Sequence, residues 1–142
     1  MCIFNRKEKY IKDGRLEDVL GLIQVLALDE ESHRSESWLV TKLPAKPISS
    51  ENWISLAKDH PEFFRVVDGK RFPVSLVARH VSEEKGTKRP PLTPEQTQSL
   101  LSTAIELHDR QIKRSQRWTV LIPIWVAVIG GIVVLVSGWF SK

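Results

Sequence analysis

Cysteine, methionine and tyrosine each occur once in this 142-residue chain, the cysteine as Cys2. A single cysteine excludes an intramolecular disulfide and agrees with a reducing compartment. The start, MCIFNRKEKYIK, lacks an apolar run of signal-peptide length, and residue 2 is not the glycine that myristoylation requires. The four histidines, His33, His60, His80 and His108, are scattered and show no metal-ligand spacing such as HExxH. There is also no glycine-rich phosphate loop. Glu30, Glu31 and His33 are clustered, but a solvated loop accounts for them, and His60 and His80 read as packing or surface residues. We therefore expect no enzyme activity, no catalytic residues, no cofactor and no metal.

Positive charge is missing where the formal +4 would lead one to look for it. Between Arg15 and Val81 stand nine Lys/Arg and ten Asp/Glu, a net charge of −1. The excess lies in the N-terminal tail, in the 85–89 stretch and in Arg110, Lys113, Arg114 and Arg117. That distribution suits attraction to a membrane surface better than a nucleic-acid face.

What is present begins with apolar periodicity. Leu16, Val19, Leu20, Leu22, Ile23, Val25 and Leu26 recur at helical spacing, predicting a helix over 15–29 capped by Asp13 or Gly14. The acidic run Asp29, Glu30, Glu31 opposes the negative end of its dipole and should stop it. A weaker second helix is expected over 35–43, with Trp38, Leu39 and Leu43 inward, ended by Pro44 and Pro47. Ser49 or Ser50 should cap a third over 51–59, packed through Trp53, Ile54, Leu56 and Ala57 and closed by His60-Pro61. Phe63 to Val67 and Lys70 to Arg79 then flank Asp68-Gly69, the signature of a hairpin with a two-residue type I′ turn. Along the second strand Val74, Leu76 and Ala78 alternate with Ser75, Val77 and Arg79, so one face can enter the core.

Three helices followed by a hairpin is the order of a winged helix-turn-helix domain, and LAKDHPEFFRVVDGKRFPVSLVAR resembles the third helix and wing of that superfamily. The HPEFF step is similar to LOTUS-type winged helices. The resemblance covers about 15–81; it implies that Phe63 or Phe64 plugs the core beneath the wing, and it transfers no binding residue.

After a polar linker, 82–92, a helix should begin sharply, with Thr93 as cap, Pro94 at the first helical position and Gln96 completing a capping box. Leu101, Ile105, His108 and Ile112 form a narrow seam that can pair with another copy or fold back on the domain. No breaker separates this juxtamembrane helix, 93–117, from Trp118–Phe140, 23 residues without a charged side chain. A span needs about 20 apolar residues for about 30 Å of hydrocarbon, so a transmembrane helix is expected there, kinked at Pro123. Trp118 and Trp139 would mark the two interfaces, with Arg114 and Arg117 holding the N-terminal side in the cytoplasm and the two-residue C-terminal tail opposite. Ala127 and Gly131, a small-x-x-x-small pair, permit close helix approach.

The fold class expected is thus α+β, mainly α: a flexible tail (1–14), a winged-helix-like cytosolic domain (15–81), the linker, and one long helix that ends in the membrane. Its function would be that of a tail-anchored, single-pass adaptor or accessory subunit, oligomeric, with the lipid bilayer, other copies of itself and a cytosolic or membrane protein as partners. Trp53, Lys58, Lys70, Arg71 and Phe72 are the expected partner contacts. Leu101, Ile105, His108, Ile112, Ala127 and Gly131 are the expected oligomerisation residues. The alternative is a membrane-tethered regulator that binds DNA or RNA through the winged helix. Against it, the exposed positions of the third helix, Glu51, Asn52, Ser55, Lys58 and Asp59, sum to −1, whereas phosphate attraction supplies most non-specific affinity.

Overall fold

The computed structural model describes residues 11–81 and 89–140, with the side chains of the last helix described to 114 and then at 123, 126–130 and 132. The chain divides into two compact units, Met1–His108 and Asp109–Lys142.

Helix α1 (Arg15–Leu28) is the centre of the first unit. Gly14 is its N-cap at φ 72°, and Ile48 lies so close that a side chain at Gly14 would collide with it. Val19, Leu22, Ile23, Leu26 and Ala27 are buried at helical spacing. The helix ends before the acidic run, with Asp29 extended.

Helix α1 also carries two buried polar residues that pin the connection ahead of the third helix. The Asp18 carboxylate accepts from Ile48 N (3.1 Å), Ser49 N (2.8 Å) and Ser49 Oγ (2.6 Å). Arg15 donates to Asp59 and to the Ser49 carbonyl, both at 3.0 Å. A buried charge persists only when it is hydrogen-bonded or ion-paired, as both groups are here, although Arg15 Nε has no partner of its own among the described residues.

A two-residue strand β1 (His33–Arg34) leads into α2 (Glu36–Lys42), capped by Ser35. The third helix, α3 (Trp53–Asp59), is shorter than expected and is capped by Asn52 rather than by Ser49 or Ser50. The reason lies in α2: both Glu36 carboxylate oxygens accept from the first α3 amides, Trp53 N and Ile54 N, at 2.8 Å. Two orphan donors of that helix end are thereby satisfied by a distant residue.

Strands β2 (Phe64–Val66) and β3 (Val74–Leu76) form the hairpin, and β3 is the central strand of an antiparallel sheet in the order β1-β3-β2. The type I′ turn expected at Asp68-Gly69 is not formed. Only Gly69 has positive φ, at 80°, while that turn needs it at both central positions. The strands instead end at Val66 and resume at Val74, leaving a wing loop closed by Val67 N to the Pro73 carbonyl at 2.9 Å. Phe63 and Phe64 are both buried, with Val74 and Leu76 opposite α1 and α3 in the same core.

A short helix α4 (Ala78–Val81) follows directly. It turns Arg79, expected on the outer strand face, into a buried residue whose guanidinium donates to the carbonyls of Leu26, Asp29, Glu30, Glu31 and Arg89. Leu26 is in the last turn of α1 and Asp29 is its C-cap, where a cation is favoured, and Glu30 and Glu31 follow directly. Helix α5 (Pro94–Phe140) opens with a reciprocal capping box: Gln96 N to Thr93 Oγ1 at 3.3 Å and Thr93 N to Gln96 Oε1 at 3.1 Å. Its first turns fold back on the domain. Leu92 donates to the Ala27 carbonyl, Leu92 and Ala104 are buried, and Leu100, Leu101 and Leu107 pack beside them.

Among the described residues, no helix is long and apolar enough to cross a membrane. This corrects the transmembrane helix expected over 118–140 and the fold class that ended in it. The single-pass, tail-anchored layout and the placement of the domain in the cytoplasm with the C-terminus opposite fall with it. The continuous run of described α5 side chains, 94–114, is polar, with Glu95, Glu106, Asp109, Arg110, Lys113 and Arg114. Of the expected interface anchors, Arg114 is exposed, and the side chains of Arg117, Trp118 and Trp139 lie outside the described residues. The architecture is a small, mainly helical α+β protein with a three-stranded sheet.

Candidate interaction surface

The wing loop, 67–73, projects its polar and aromatic residues because its two ends are fixed by buried neighbours, Phe64 on one side and Val74 on the other. Lys70 and Arg71 are exposed, and Phe72 is 41% exposed with the Arg71 guanidinium 5.6 Å from its ring centroid. A cation over an aromatic face of this kind makes a compact, amphipathic knob. Lys58, from α3, reaches Asp68 at 2.7 Å and so steadies the loop from below. Trp53 does not belong to the surface. It is 1% exposed, with its indole N–H on the Pro44 carbonyl at 3.0 Å, so it is a core residue.

Beside the wing, the sheet register assembles a group that the sequence pattern hides. His33 pairs with Ser75, and Ser75 pairs with Arg65, so the three stand in one row across β1, β3 and β2. Paired residues of an antiparallel sheet share a face, and this row occupies the face opposite Phe64, Val74 and Leu76. His80, on α4, closes over it with Nε2 2.9 Å from Ser75 Oγ. The His33 and His80 rings meet edge to face at 5.5 Å, and an Arg89 Nη nitrogen lies against His80 Nδ1.

Electrostatics follow from that crowding. Burial first, and then the cations Arg89, Lys70, Arg65 and Arg79, hold the His33 imidazole below its ordinary pKa. His80 is lowered in the same way, by burial and then by Arg89, His33, Arg65 and Arg79. Both rings are therefore neutral at neutral pH. The hydrogen bonds around His80 are complete for one tautomer: Nδ1 accepts from Arg89, Nε2–H donates to Ser75 Oγ, and the Ser75 hydroxyl donates to the Arg65 carbonyl at 3.3 Å. A serine 2.9 Å from an imidazole has the distance of a nucleophile and its base. Here, however, Ser75 is fully buried, and the other ring nitrogen faces a guanidinium instead of an orienting carboxylate.

A second feature is an open groove of about 610 Å³ between the end of α1 and α2, with Val25, Leu28 and Trp38 as its apolar wall. Arg34 crosses it, stacked 4.2 Å from the Trp38 ring centroid and joined to Asp29 and Glu31. Burial alone would raise the Asp29 pKa, but hydrogen bonds from Arg34 and the Glu31 amide hold it below its ordinary value. Among the described residues, no group of three or more His, Cys, Asp or Glu is arranged to hold a metal ion.

The expected oligomerisation residues are divided. Leu101 packs against the domain core, Ile105 is exposed, and His108 and Ile112 are half-buried. Ala127 is exposed, and the side-chain environment of position 131 lies outside the described residues. His33, Arg65, His80 and Arg89 were missed as a group because they come from four segments. The one available signal was the β-prone alternation that sets Arg65 and Ser75 on the same side of a hairpin.

No family model, no curated protein and no solved structure matches the chain.

Proposed function

We propose that this protein is a protein-interaction module of the winged-helix type, an adaptor or accessory subunit that captures a partner protein through its wing. The observation that carries the reading is the exposed trio Lys70, Arg71 and Phe72 on a loop held at both ends by core residues. An aromatic and an arginine, the types that dominate interface energetics, here stand together on a preorganised support. The element order α1-β1-α2-α3-β2-β3, with β3 central, supports the likeness to winged helices. Self-association through α5 is part of the proposal, supported by exposed Ile105 and by exposed Val126, Val128, Ile129 and Ile132.

The nucleic-acid reading draws on Arg65, Lys70 and Arg71 but loses its usual reading element. Helix α3 has seven residues, its leading amides are taken by Glu36 and Asn52, and Lys58 is engaged with Asp68. Affinity capture from cells with the full chain tests the proposal. Alanine at Lys70, Arg71 and Phe72 should reduce recovery of the partner at least tenfold with an unchanged thermal transition. Undiminished recovery would remove the wing from the interface, and steep salt-dependent retention of DNA or RNA by the full chain would favour the alternative.

A further inference from the structure

The outer face of the sheet gathers more positive charge than the fold requires. Its row His33–Ser75–Arg65 is flanked by His80, Arg89 and, from the wing, Lys70. Among the described residues, Arg65 and Lys70 are in no ion pair. The neighbouring charges are already paired: Arg34, beside His33 on β1, with Asp29 and Glu31, and Asp68 of the wing with Lys58. Arg65 and Lys70 are exposed, so nothing in the core packing calls for either at these positions, and like charges gathered around two imidazoles repel one another unless an anion joins them.

We propose that this face binds a phosphate monoester carried on a segment of a partner protein, with Arg65 and Lys70 as the fixed cations and His33 as the proton-accepting donor, braced by the His80 ring against it. Arg65 offers the planar fork suited to phosphate oxygens, and Lys70 a point charge from the wing. The His33 imidazole distinguishes the monoester from a diester. It is neutral in the free protein, so a dianion arriving beside it draws a proton onto the ring. A diester, with one charge per phosphate and no second ionisation near neutrality, gains less from that uptake. The groups that face His33 are Ser32, on Nδ1 at 2.8 Å, with Arg89, Lys70, Arg65 and Arg79 around it. Those that face His80 are Ser75, Arg89, His33, Arg65 and Arg79. Phosphate binding therefore raises the His33 pKa and tightens as pH falls from about 8 toward 6.5, until the phosphate itself takes up its second proton near pH 6.

The peptide part of this inference rests on the protein-interaction reading, whereas the anion part does not. Both are tested on the full chain by following the histidine ring resonances during titration with inorganic phosphate, then with a phosphoserine peptide and its unphosphorylated form. The expected result is a saturable shift of two of the four histidines with phosphate. Affinity should be at least tenfold lower in Arg65→Ala and unchanged in Lys46→Ala, an exposed cation between α2 and α3, and the phosphopeptide should bind at least tenfold tighter than its unphosphorylated twin. A shift that fails to saturate, or that is equal in wild type and Arg65→Ala, overturns the site. Free phosphate bound without any preference for the phosphopeptide overturns the partner assignment. Duplex DNA bound tenfold more tightly than the phosphopeptide, with loss in Arg65→Ala, would assign the face to nucleic acid instead. Lower capture in Phe72→Ala, which leaves Lys70 in place, alongside an intact phosphate response would separate the fate of this site from that of the wing.

Discussion

Arg79 shows how one side chain replaces what the local sequence does not supply. Helix α1 has no basic residue in its last turn and is followed by three acids, so its terminal carbonyls need a donor from elsewhere. The guanidinium of Arg79 provides it, fully buried and donating to five carbonyls. Replacing it with methionine keeps the bulk but orphans those acceptors, and should cost about 3–5 kcal/mol in urea unfolding, far more than an exposed arginine such as Arg71. Asp18→Ala leaves Ile48 N and Ser49 N without their acceptor and should cost about 2–3 kcal/mol in the same measurement. The histidines set the pH dependence. His33 and His80 have folded pKa values below the ordinary 6.5, so the unfolded chain takes up protons first as pH falls. Stability is then full above about pH 7, declines as pH drops below 6.5 through the folded values, and should decline less in His33→Gln, read as Tm against pH. Asp29, held below its ordinary 3.8, adds a separate loss at lower pH, as pH falls from about 4 through its folded pKa.

At the scale of elements, the helices and the hairpin were legible because each carries its own periodic signal. The buried stripe Val19, Leu22, Ile23, Leu26 announces α1, and Thr93, Pro94 and Gln96 announce the start of α5. What could not be read depended on distant partners. β1 is two residues long and exists because β3 pairs with it, and α3 begins at Trp53 because Glu36, 17 positions earlier, caps its amides. The wing was misread as a two-residue turn because Asp68-Gly69 has the composition of one, while Pro73 and the Val67 amide close a longer loop. The candidate surface was half legible: Lys70, Arg71 and Phe72 are consecutive, whereas His33, Arg65 and His80 meet only through register. Seam residues on α5 had two possible uses, and the first turns take the fold-back. Ala104, 1% exposed, sits at that contact. Ala104→Glu should cost about 2 kcal/mol or more, and Ile105→Glu, one position along and 43% exposed, much less.

The whole molecule places its unusual chemistry on one side of the sheet domain. Core residues of α1, α3 and β3 support a wing whose tip is basic and aromatic, and the same sheet carries a row of cations and neutral imidazoles on its outer face. The expected membrane-spanning helix depended on a run of apolar residues read in isolation. Its correction leaves a small, mainly helical α+β protein whose long α5 shares its first turns with the domain core. The most direct measurement is photo-cross-linking in cells from an unnatural aromatic residue placed at position 72, compared with the same residue at position 46, an exposed site in the loop between α2 and α3. The wing account predicts one discrete protein adduct from position 72, weakened when Lys70 and Arg71 are alanine and absent from position 46. Equal adducts from both positions, or adducts to nucleic acid alone, would contradict it.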